Sequence, residues 1–156
     1  EKVDREPEAN YWIGKAYQAA GEPGLAKQYW QKSADAAAPK PTGQQNPDSI
    51  GPRTIQRCYQ AFSLRELGRK DEASAQFRDL LERANTAIRQ EPAQFNLDAS
   101  VAEVLLQRSN LAGAHYIAAL SYLGLDDKKK AAQELRLALD ARSGLASARF
   151  TLAQLQ

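Results

Sequence analysis

This chain of 156 residues has very few of the side chains from which metal sites and active sites are built. It contains one cysteine, one histidine and no methionine. A single cysteine excludes an internal disulfide framework, and His115 with Cys58 cannot complete a tetrahedral zinc site. The sequence therefore predicts no metal, no cofactor and no catalytic residue. Cys58 is interpreted as a small apolar side chain in the core or in a groove.

An excess of charge of one sign and long apolar runs are also missing. The net charge is +2, and the densest basic segment is Lys128–Lys130. Nucleic-acid-binding proteins carry wider basic faces, so these lysines are interpreted as solvated. No apolar run approaches the roughly 20 residues that cross a bilayer, and no signal-peptide pattern is visible. Nucleic-acid and membrane partners are therefore not predicted, and the compartment stays open. Because the chain begins at Glu1 and lacks methionine, we expect a piece of a longer protein.

Patterns for acid–base chemistry and phosphate binding are absent as well. Asp71-Glu72 and Asp126-Asp127 stand at predicted helix starts, where carboxylates interact favourably with the helix dipole. The remaining glutamates, such as Glu66, Glu82 and Glu103, show no pairing suited to acid–base work. No glycine-rich segment leads into the Lys-Ser or Lys-Thr of a phosphate loop. An enzyme is not predicted from these residues, although a preceding part of the parent protein could be catalytic.

Small and large residues recur at one spacing in two places. Offsets of 3, 7, 12 and 16 from Gly14 reach Tyr17, Gly21, Ala26 and Trp30. The same offsets from Ala61 reach Leu64, Gly68, Ala73 and Phe77. A helical hairpin needs small side chains where its backbones approach and large ones where gaps must be filled. Glycine suits a helix end that adopts the left-handed conformation. Two helical hairpins of one design are therefore predicted.

The apolar period predicts an all-α chain. The main helices are expected over about residues 7–20, 23–37, 52–67, 71–90, 111–123, 127–141 and 145–155. Asp71 is a predicted N-cap, and Asp98 or Ser100 is predicted to cap a separate short helix that ends at Leu106. Residues 38–52, with four prolines and two glycines, are predicted to form a surface loop. Phe95 and Leu97 are expected to be buried anchors of an irregular crossing.

A third, less regular hairpin is predicted over residues 111–141. Ile117, Leu120 and Gly124 repeat the offsets of the first unit, after which the pattern shifts by two residues, to Ala131, Leu135 and Ala138. The helix at 145–155 would cover the apolar end of a helical array. The units start 47 and 56 residues apart (14 to 61, and 61 to 117). Both distances exceed the usual period of about 34, which indicates insertions between the units.

These spacings resemble those of the tetratricopeptide repeat over residues 8–38, 55–84 and 111–141. The resemblance implies one domain over residues 1–156. Its fold would be a right-handed α-α superhelix of about three helical hairpins, with insertions between repeats and a C-terminal capping helix at 145–155. It also implies a non-catalytic module that contacts a protein, a peptide or another domain of its own chain.

Members of this family usually bind peptides in a groove lined by the first helix of each pair. Carried over to this chain, the groove positions are Glu8, Tyr11, Lys15, Gln18, Ile55, Cys58, Phe62, Arg65, Leu111, Ala114, Ala118 and Ser121. From these positions and the neighbouring Trp12, the peptide-binding residues are predicted to be Tyr11, Trp12, Lys15, Gln18, Cys58, Phe62, Arg65, Ala118 and Ser121. The family's clamp of lysine, asparagine and arginine around a terminal carboxylate is not matched, because Lys15 and Arg65 are the only cations. The groove is rather apolar and suits an amphipathic helix or the protein's own insertions.

A broader resemblance supports a second interpretation. The segments GKAYQAAGEPGLAKQYWQKSA, CYQAFSLRELGRKDEASAQF and FNLDASVAEVLLQRSNLAGAHYIAALSYLGL follow one another as in the helical tail of large bacterial multidomain proteins. In those proteins a β-rich, carbohydrate-active-looking region precedes the repeats. The resemblance implies an accessory tail that shapes a substrate entrance. Trp12 could stack on a sugar or a proline, whereas Trp30 is predicted to pack the hairpin. A third interpretation is a small-ligand site made of Tyr11, Trp12, Lys15, Phe62 and Arg65.

Overall fold

A computed structural model describes residues 5–37, 50–90 and 99–156, and the regular structure in these ranges is entirely α-helical. The seven helices there are α1 (Glu6–Ala19), α2 (Pro23–Asp35), α3 (Pro52–Glu66), α4 (Lys70–Gln90), α5 (Val101–Gly124), α6 (Lys128–Ala141) and α7 (Ala146–Gln154). The predicted all-α class is confirmed. Within these ranges, no helix has both the length and the apolar character to cross a membrane. Most of the predicted loop at 38–52 lies outside the described residues, as do Phe95 and Leu97.

Three of the helices end in the same turn. In each, the residue in the left-handed conformation donates its amide hydrogen to the carbonyl three residues back. The residue after it donates its amide hydrogen to the carbonyl five residues back. The long-range pairs are Glu22 to Tyr17, Arg69 to Leu64 and Asp127 to Tyr122, each at 2.9 Å between nitrogen and oxygen. The left-handed residues are Gly21 (φ 79°), Gly68 (φ 83°) and Asp126 (φ 64°). This is the Schellman ending, in which the turn binds carbonyls that the helix leaves unpaired.

The shared turn sets the register of the third hairpin and corrects the sequence interpretation. Asp126, and not Gly124, holds the place of Gly21 and Gly68. Counting from Asp126 with the offsets of the first unit gives Ala119, Tyr122, Ala131 and Leu135 as the counterparts of Gly14, Tyr17, Ala26 and Trp30. The predicted shift by two residues was therefore wrong. An aspartate at the left-handed position removed the glycine signal from the sequence, because aspartate also tolerates this conformation.

Two predicted helix starts are also corrected. Residues 101–124 form one continuous helix instead of a short helix and a separate one. Ser100 caps it by accepting from the Glu103 amide, while the Glu103 carboxylate accepts from the Ser100 amide at 2.7 Å. This capping box starts a helix that no proline or strong breaker interrupts. Helix α4 begins at Lys70, so Asp71 lies in its first turn and is not the N-cap.

Each helix packs against its neighbours in the chain, and α1, α3 and α5 also contact one another in order. Glu8 and Lys15 of α1 bind Gln56 and Glu66 of α3, which shows that α1 and α3 run in the same direction. The odd-numbered helices therefore share one side of the chain. The even-numbered helices α2 and α4 each fill the space between two odd-numbered helices.

The small residues predicted to let the helices approach are buried. Gly14 is buried, Ala26 and Ala61 are fully buried, and Ala73 is nearly so. Trp30 is buried as well, and its indole nitrogen donates to the Tyr11 carbonyl at 3.3 Å. The predicted packing of the first two hairpins is confirmed. These contacts hold α1 and α3 in the positions from which their aromatic side chains meet.

Candidate functional site

Aromatic side chains of α1 and α3 meet on the side shared by the odd-numbered helices. Tyr11 lies 5.5 Å from Tyr59 and 5.7 Å from Phe62, measured between ring centroids. Trp12 lies 5.2 Å from Tyr11 and 6.2 Å from Tyr59. Aromatic pairs at these distances contribute more to stability than the burial of their apolar area alone. We call the surface formed by Tyr11, Trp12, Tyr59, Phe62 and Tyr116 the odd-helix face.

Polar side chains follow the odd-helix face from α1 to α7. The polar groups of Trp12 and Tyr116 lie near the Tyr59 hydroxyl and affect its pKa. The side chains of Thr151 and Ser147 in α7 lie near the Tyr116 hydroxyl and lower its pKa, whereas burial has the larger, opposite effect. Burial raises the pKa of both tyrosines above the ordinary value, so both hydroxyls stay protonated. Neutral polar side chains of four odd-numbered helices thus lie close to one another.

Helix α7 completes the odd-helix face by reaching back to α1. The ring of Phe150 meets that of Trp12 edge to face, with centroids 6.4 Å apart. Ala148 is fully buried beneath α7, while Leu152 and Leu155 pack against the core. The side chain of Trp12 remains 40% exposed and that of Phe150 58% exposed. Helix α7 therefore packs mainly against α6 and places an aromatic pair, Trp12 and Phe150, at the rim of this face.

The nine residues predicted to line a groove do not share one surface. Tyr11 and Phe62 are buried in the aromatic cluster, and Trp12 lies at its rim. Cys58, Ala118 and Ser121 are fully buried in α3 and α5, and the Ser121 hydroxyl donates to the Ile117 carbonyl at 2.8 Å. Burial raises the pKa of the Cys58 thiol to about 12. Of the neighbouring positions, Ala114 is buried, and Ile55 and Leu111 are half-buried.

The two predicted groove cations are engaged inside the fold. The Lys15 ammonium lies 3.2 Å from Glu66 and 3.0 Å from the amide oxygen of the exposed Gln18. The Arg65 guanidinium donates to the last carbonyls of α5, those of Leu123 and Gly124, at 3.1 and 3.3 Å. A cation at a helix C-terminus stabilises it by interacting with the helix dipole. These contacts reduce the case for a small-ligand site that uses both cations.

Sequence reasoning missed five residues of this region: Tyr59, Tyr116, Ser147, Phe150 and Thr151. Tyr116 had a detectable signal, because the register set by Asp126 makes it the counterpart of Tyr11 in the third hairpin. The register assumed at first was shifted by two residues, so it selected Ala114, Ala118 and Ser121 in place of Tyr116, Leu120 and Leu123. The α7 residues gave no signal, because their role depends on where the helix docks.

One other buried polar contact joins α5 to α6. The His115 ring nitrogen lies 2.6 Å from the Glu134 carboxylate, and both side chains are largely buried. His115 is the counterpart of Arg57 in the second hairpin, so this pair occupies a packing position. Among the described residues, no three potential metal ligands gather into one site. The pair is explained by helix packing, in which each partner satisfies the other.

Helices α4 and α5 extend beyond the rest. They have 21 and 24 residues, whereas the other described helices have 9 to 15. Helix α6 ends near Ser109, which accepts from Arg142 at 3.3 Å, so the first two turns of α5 continue past it. There Val101, Leu105 and Leu106 are 77%, 61% and 62% exposed. We call these three residues the α5 ledge.

Comparison of the chain with protein-family models, with curated proteins and with solved structures finds no match.

Proposed function

We propose that this chain is a non-catalytic helical repeat module of the tetratricopeptide type, a right-handed α-α superhelix that contacts another protein or another domain of its own chain. Support comes from three hairpins with one turn geometry and one pattern of small and large residues. The ordered contacts of α1, α3 and α5 give further support, since repeat arrays place equivalent helices side by side.

The exposure of the α5 ledge is the observation that carries a role in protein contact. Three large aliphatic side chains stand within six residues of one helix, all more than half exposed. Grouped apolar exposure of this kind marks interaction surfaces in proteins, whereas single exposed apolar residues are common. The ledge also continues the side of α5 near the end of α6, so a partner helix laid there would extend an existing packing surface.

Site-specific photo-crosslinking in the native cell tests this proposal. A benzophenone amino acid replaces Leu105 in one variant and the exposed Gln133 of α6 in a matched control. We expect a covalent adduct to a protein, or to another part of the parent chain, at position 105 only. Equal labelling at both positions, or none at 105, would contradict protein contact through the ledge.

A second candidate function is the helical accessory tail of a carbohydrate-active enzyme. The half-exposed rings of Trp12 and Phe150 favour it, since exposed aromatic rings can stack on the apolar faces of sugars. Titration with oligosaccharides, followed by tryptophan fluorescence, tests this candidate. We expect a spectral change that is lost in Trp12→Phe and kept in Trp30→Phe. An unchanged spectrum of the original chain would remove the candidate.

A further inference from the structure

We propose that Trp12, Phe150 and Glu8 form a binding site for an organic cation, an alkylated ammonium group on a small molecule or on a side chain of another protein. The site lies where rings of α1 and α7 meet on the odd-helix face, and it does not include the α5 ledge. It combines two exposed aromatic rings with a carboxylate that has no cationic partner among the described residues. This inference goes beyond the proposed contact function and does not depend on it.

The two rings are the most exposed aromatic side chains in the part of the chain that the structure describes. Trp12 is 40% exposed and Phe150 is 58% exposed. Their planes stand at 74° to each other with centroids 6.4 Å apart, so the exposed parts of the two rings form a corner. The buried Tyr59 supports Trp12 from the core side, at 6.2 Å between centroids. Aromatic cages bind quaternary ammonium groups by surrounding one point with ring faces.

Among the described residues, no lysine or arginine lies over the faces of these two rings. Such cations do lie over other rings, at 4.6 to 6.0 Å from the centroids of Trp30, Tyr29, Phe62 and Tyr122. Trp12 and Phe150 have no cation of this kind although they are more accessible. The attraction that a ring face exerts on a positive charge is therefore still available to a ligand at this corner.

Glu8 supplies a negative charge one helical turn from Trp12. Its carboxylate accepts from the Gln56 amide at 3.1 Å, and the ion pairs between described residues do not include it. Residues four apart share a helix face, and helical side chains lean toward the N-terminus, which brings the Trp12 ring toward Glu8. Burial is the main cause of the raised pKa values of Tyr59 and Tyr116, and the charge of Glu8 raises both further. The carboxylate therefore lies close to the aromatic cluster.

The site favours a positive charge that also carries apolar surface. A primary ammonium is strongly hydrated and would lose much of that hydration against ring faces, whereas the methyl groups of an alkylated ammonium contact the rings directly. A neutral ligand of the same shape would gain the apolar contact alone. Both rings are partly open to solvent, which leaves room for a group at the end of a side chain as well as for a free small molecule.

The main experiment compares a cation with a neutral compound of the same shape. The full chain is titrated with choline and with dimethylbutanol, in which carbon replaces the charged nitrogen, and the two indole signals are followed by NMR. We expect choline to bind at least about fivefold more tightly and to shift the Trp12 signal. Equal affinity for the two compounds, or a response at Trp30 alone, would overturn the proposal.

A matched pair of variants tests the carboxylate. Glu8→Gln keeps the shape and the acceptor oxygen of the side chain but removes its charge, and Glu22→Gln removes a charge at an exposed position outside the site. We expect Glu8→Gln to weaken choline binding by at least about threefold, with little change in Glu22→Gln. Equal effects of the two variants would contradict the role of Glu8. Should Glu8→Gln fold poorly, the original chain still answers, because added salt should weaken choline binding and leave dimethylbutanol binding unchanged.

Variants of the two rings test the aromatic faces. Trp12→Leu and Phe150→Leu keep an apolar side chain at each position and remove the ring face. Both should reduce the preference for choline over dimethylbutanol, because the attraction of a cation to a ring depends on its π electrons. An unchanged preference in both variants would overturn the proposal.

A comparison of two ligands identifies the source of the ammonium group. A peptide with a trimethylated lysine should bind at least about threefold more tightly than the same peptide with unmodified lysine. Tighter binding of this peptide than of choline would support a side chain of another protein, and the reverse would support a free small molecule. Binding of oligosaccharides at Trp12 with no response to choline or to the peptide would overturn the proposal. Such a failure together with crosslinking at position 105 would refute the cation site alone.

Discussion

Gly14 lies against the indole ring of Trp30, so closely that a β-carbon on the glycine would stand 2.4 Å from the indole nitrogen. No real β-carbon makes so short a contact, and both partners lie in packed helices. The first hairpin can therefore keep its present spacing only with glycine at position 14. Gly124 of α5 packs in the same way against the ring of Phe77 in α4, where an added β-carbon would stand 2.3 Å from the nearest ring carbon.

We predict that Gly14→Ala lowers the free energy of unfolding by about 1–3 kcal/mol, the usual effect of forcing extra atoms into a packed core. The control is Gly113→Ala in α5, where an added β-carbon meets nothing within 4 Å. That change should raise stability by up to about 1 kcal/mol, because alanine favours helices. Urea unfolding, monitored by circular dichroism, measures both. Equal effects of the two changes would contradict the close contact.

The three Schellman turns give a second prediction. Gly68→Ala should lower stability by about 1–2 kcal/mol, since a β-carbon is unfavourable in the left-handed conformation. Asp126→Gly should change stability little or raise it by less than about 1 kcal/mol, because the glycine relieves that conformation. Its ion pair with Arg65 is exposed and contributes little. Thermal unfolding of the two variants measures these changes in stability. A large loss of stability in Asp126→Gly would disprove the shared register.

A third prediction concerns a buried chain of hydroxyl groups between α1, α2 and α3. Ser63 donates to Ser33 at 2.7 Å, and Ser33 donates to the Pro7 carbonyl at 2.8 Å. Ser33→Ala should lower stability by about 1–3 kcal/mol, because it leaves buried polar atoms without partners.

The double-mutant cycle with Ser63→Ala measures the coupling. We expect the pair of changes to cost less than the sum of the single ones, by about 0.5 kcal/mol or more. Ser143→Ala, at an exposed position, is the control and should be neutral. Strict additivity would mean that the two hydroxyls do not interact.

The fourth prediction is a loss of stability at alkaline pH. Burial raises the pKa of Cys58 from 9.0 to about 12 and that of Tyr11 from 10.0 to about 12. Both groups release protons more readily when unfolded, so rising pH favours the unfolded chain. Stability should therefore hold up to about pH 9 and fall from there toward pH 12.

Measured unfolding free energies between pH 7 and 12 check this, and Cys58→Ala should make the decline begin nearer pH 10. In the native protein the thiol should also resist a disulfide reagent at pH 8, because the thiolate is the reactive form. Fast thiol labelling of the folded protein would contradict the burial of Cys58.

The helices of the first two hairpins could be predicted because their signals are local. Pro23 and Pro52 stand at helix starts, Gly21 and Gly68 at helix ends, and alanines mark the lines of closest approach. The third hairpin lacked one such marker. Asp126 adopts the glycine conformation without being a glycine, and Gly124 two residues earlier offered a false alternative. A change at one turn residue thus moved the assignment of a whole helix by two positions.

The candidate site was less predictable, because its composition depends on tertiary contacts. Tyr11 and Phe62 were predicted because the resemblance to the tetratricopeptide repeat assigns their positions to a groove, and Trp12 was predicted as the aromatic residue beside Tyr11. Whether such positions face a groove or a neighbouring helix depends on how sharply the row of helices curves, which no local pattern encodes. Docking of α7 depends on the same curvature, and Ser147, Phe150 and Thr151 look like ordinary surface residues of a short helix.

The tight turns at Gly21, Gly68 and Asp126 all stand at one end of the stack, because sequential neighbours are antiparallel. The links that leave Asp35, Gln90 and Ala141 start from the opposite end. Lengthening a turn of the first kind would break hydrogen bonds that fix two helices at once. Inserted tags, fluorescent reporters or natural changes in loop length should therefore be tolerated at the end where the longer links begin. At the end with the three tight turns, such insertions should destabilise the fold.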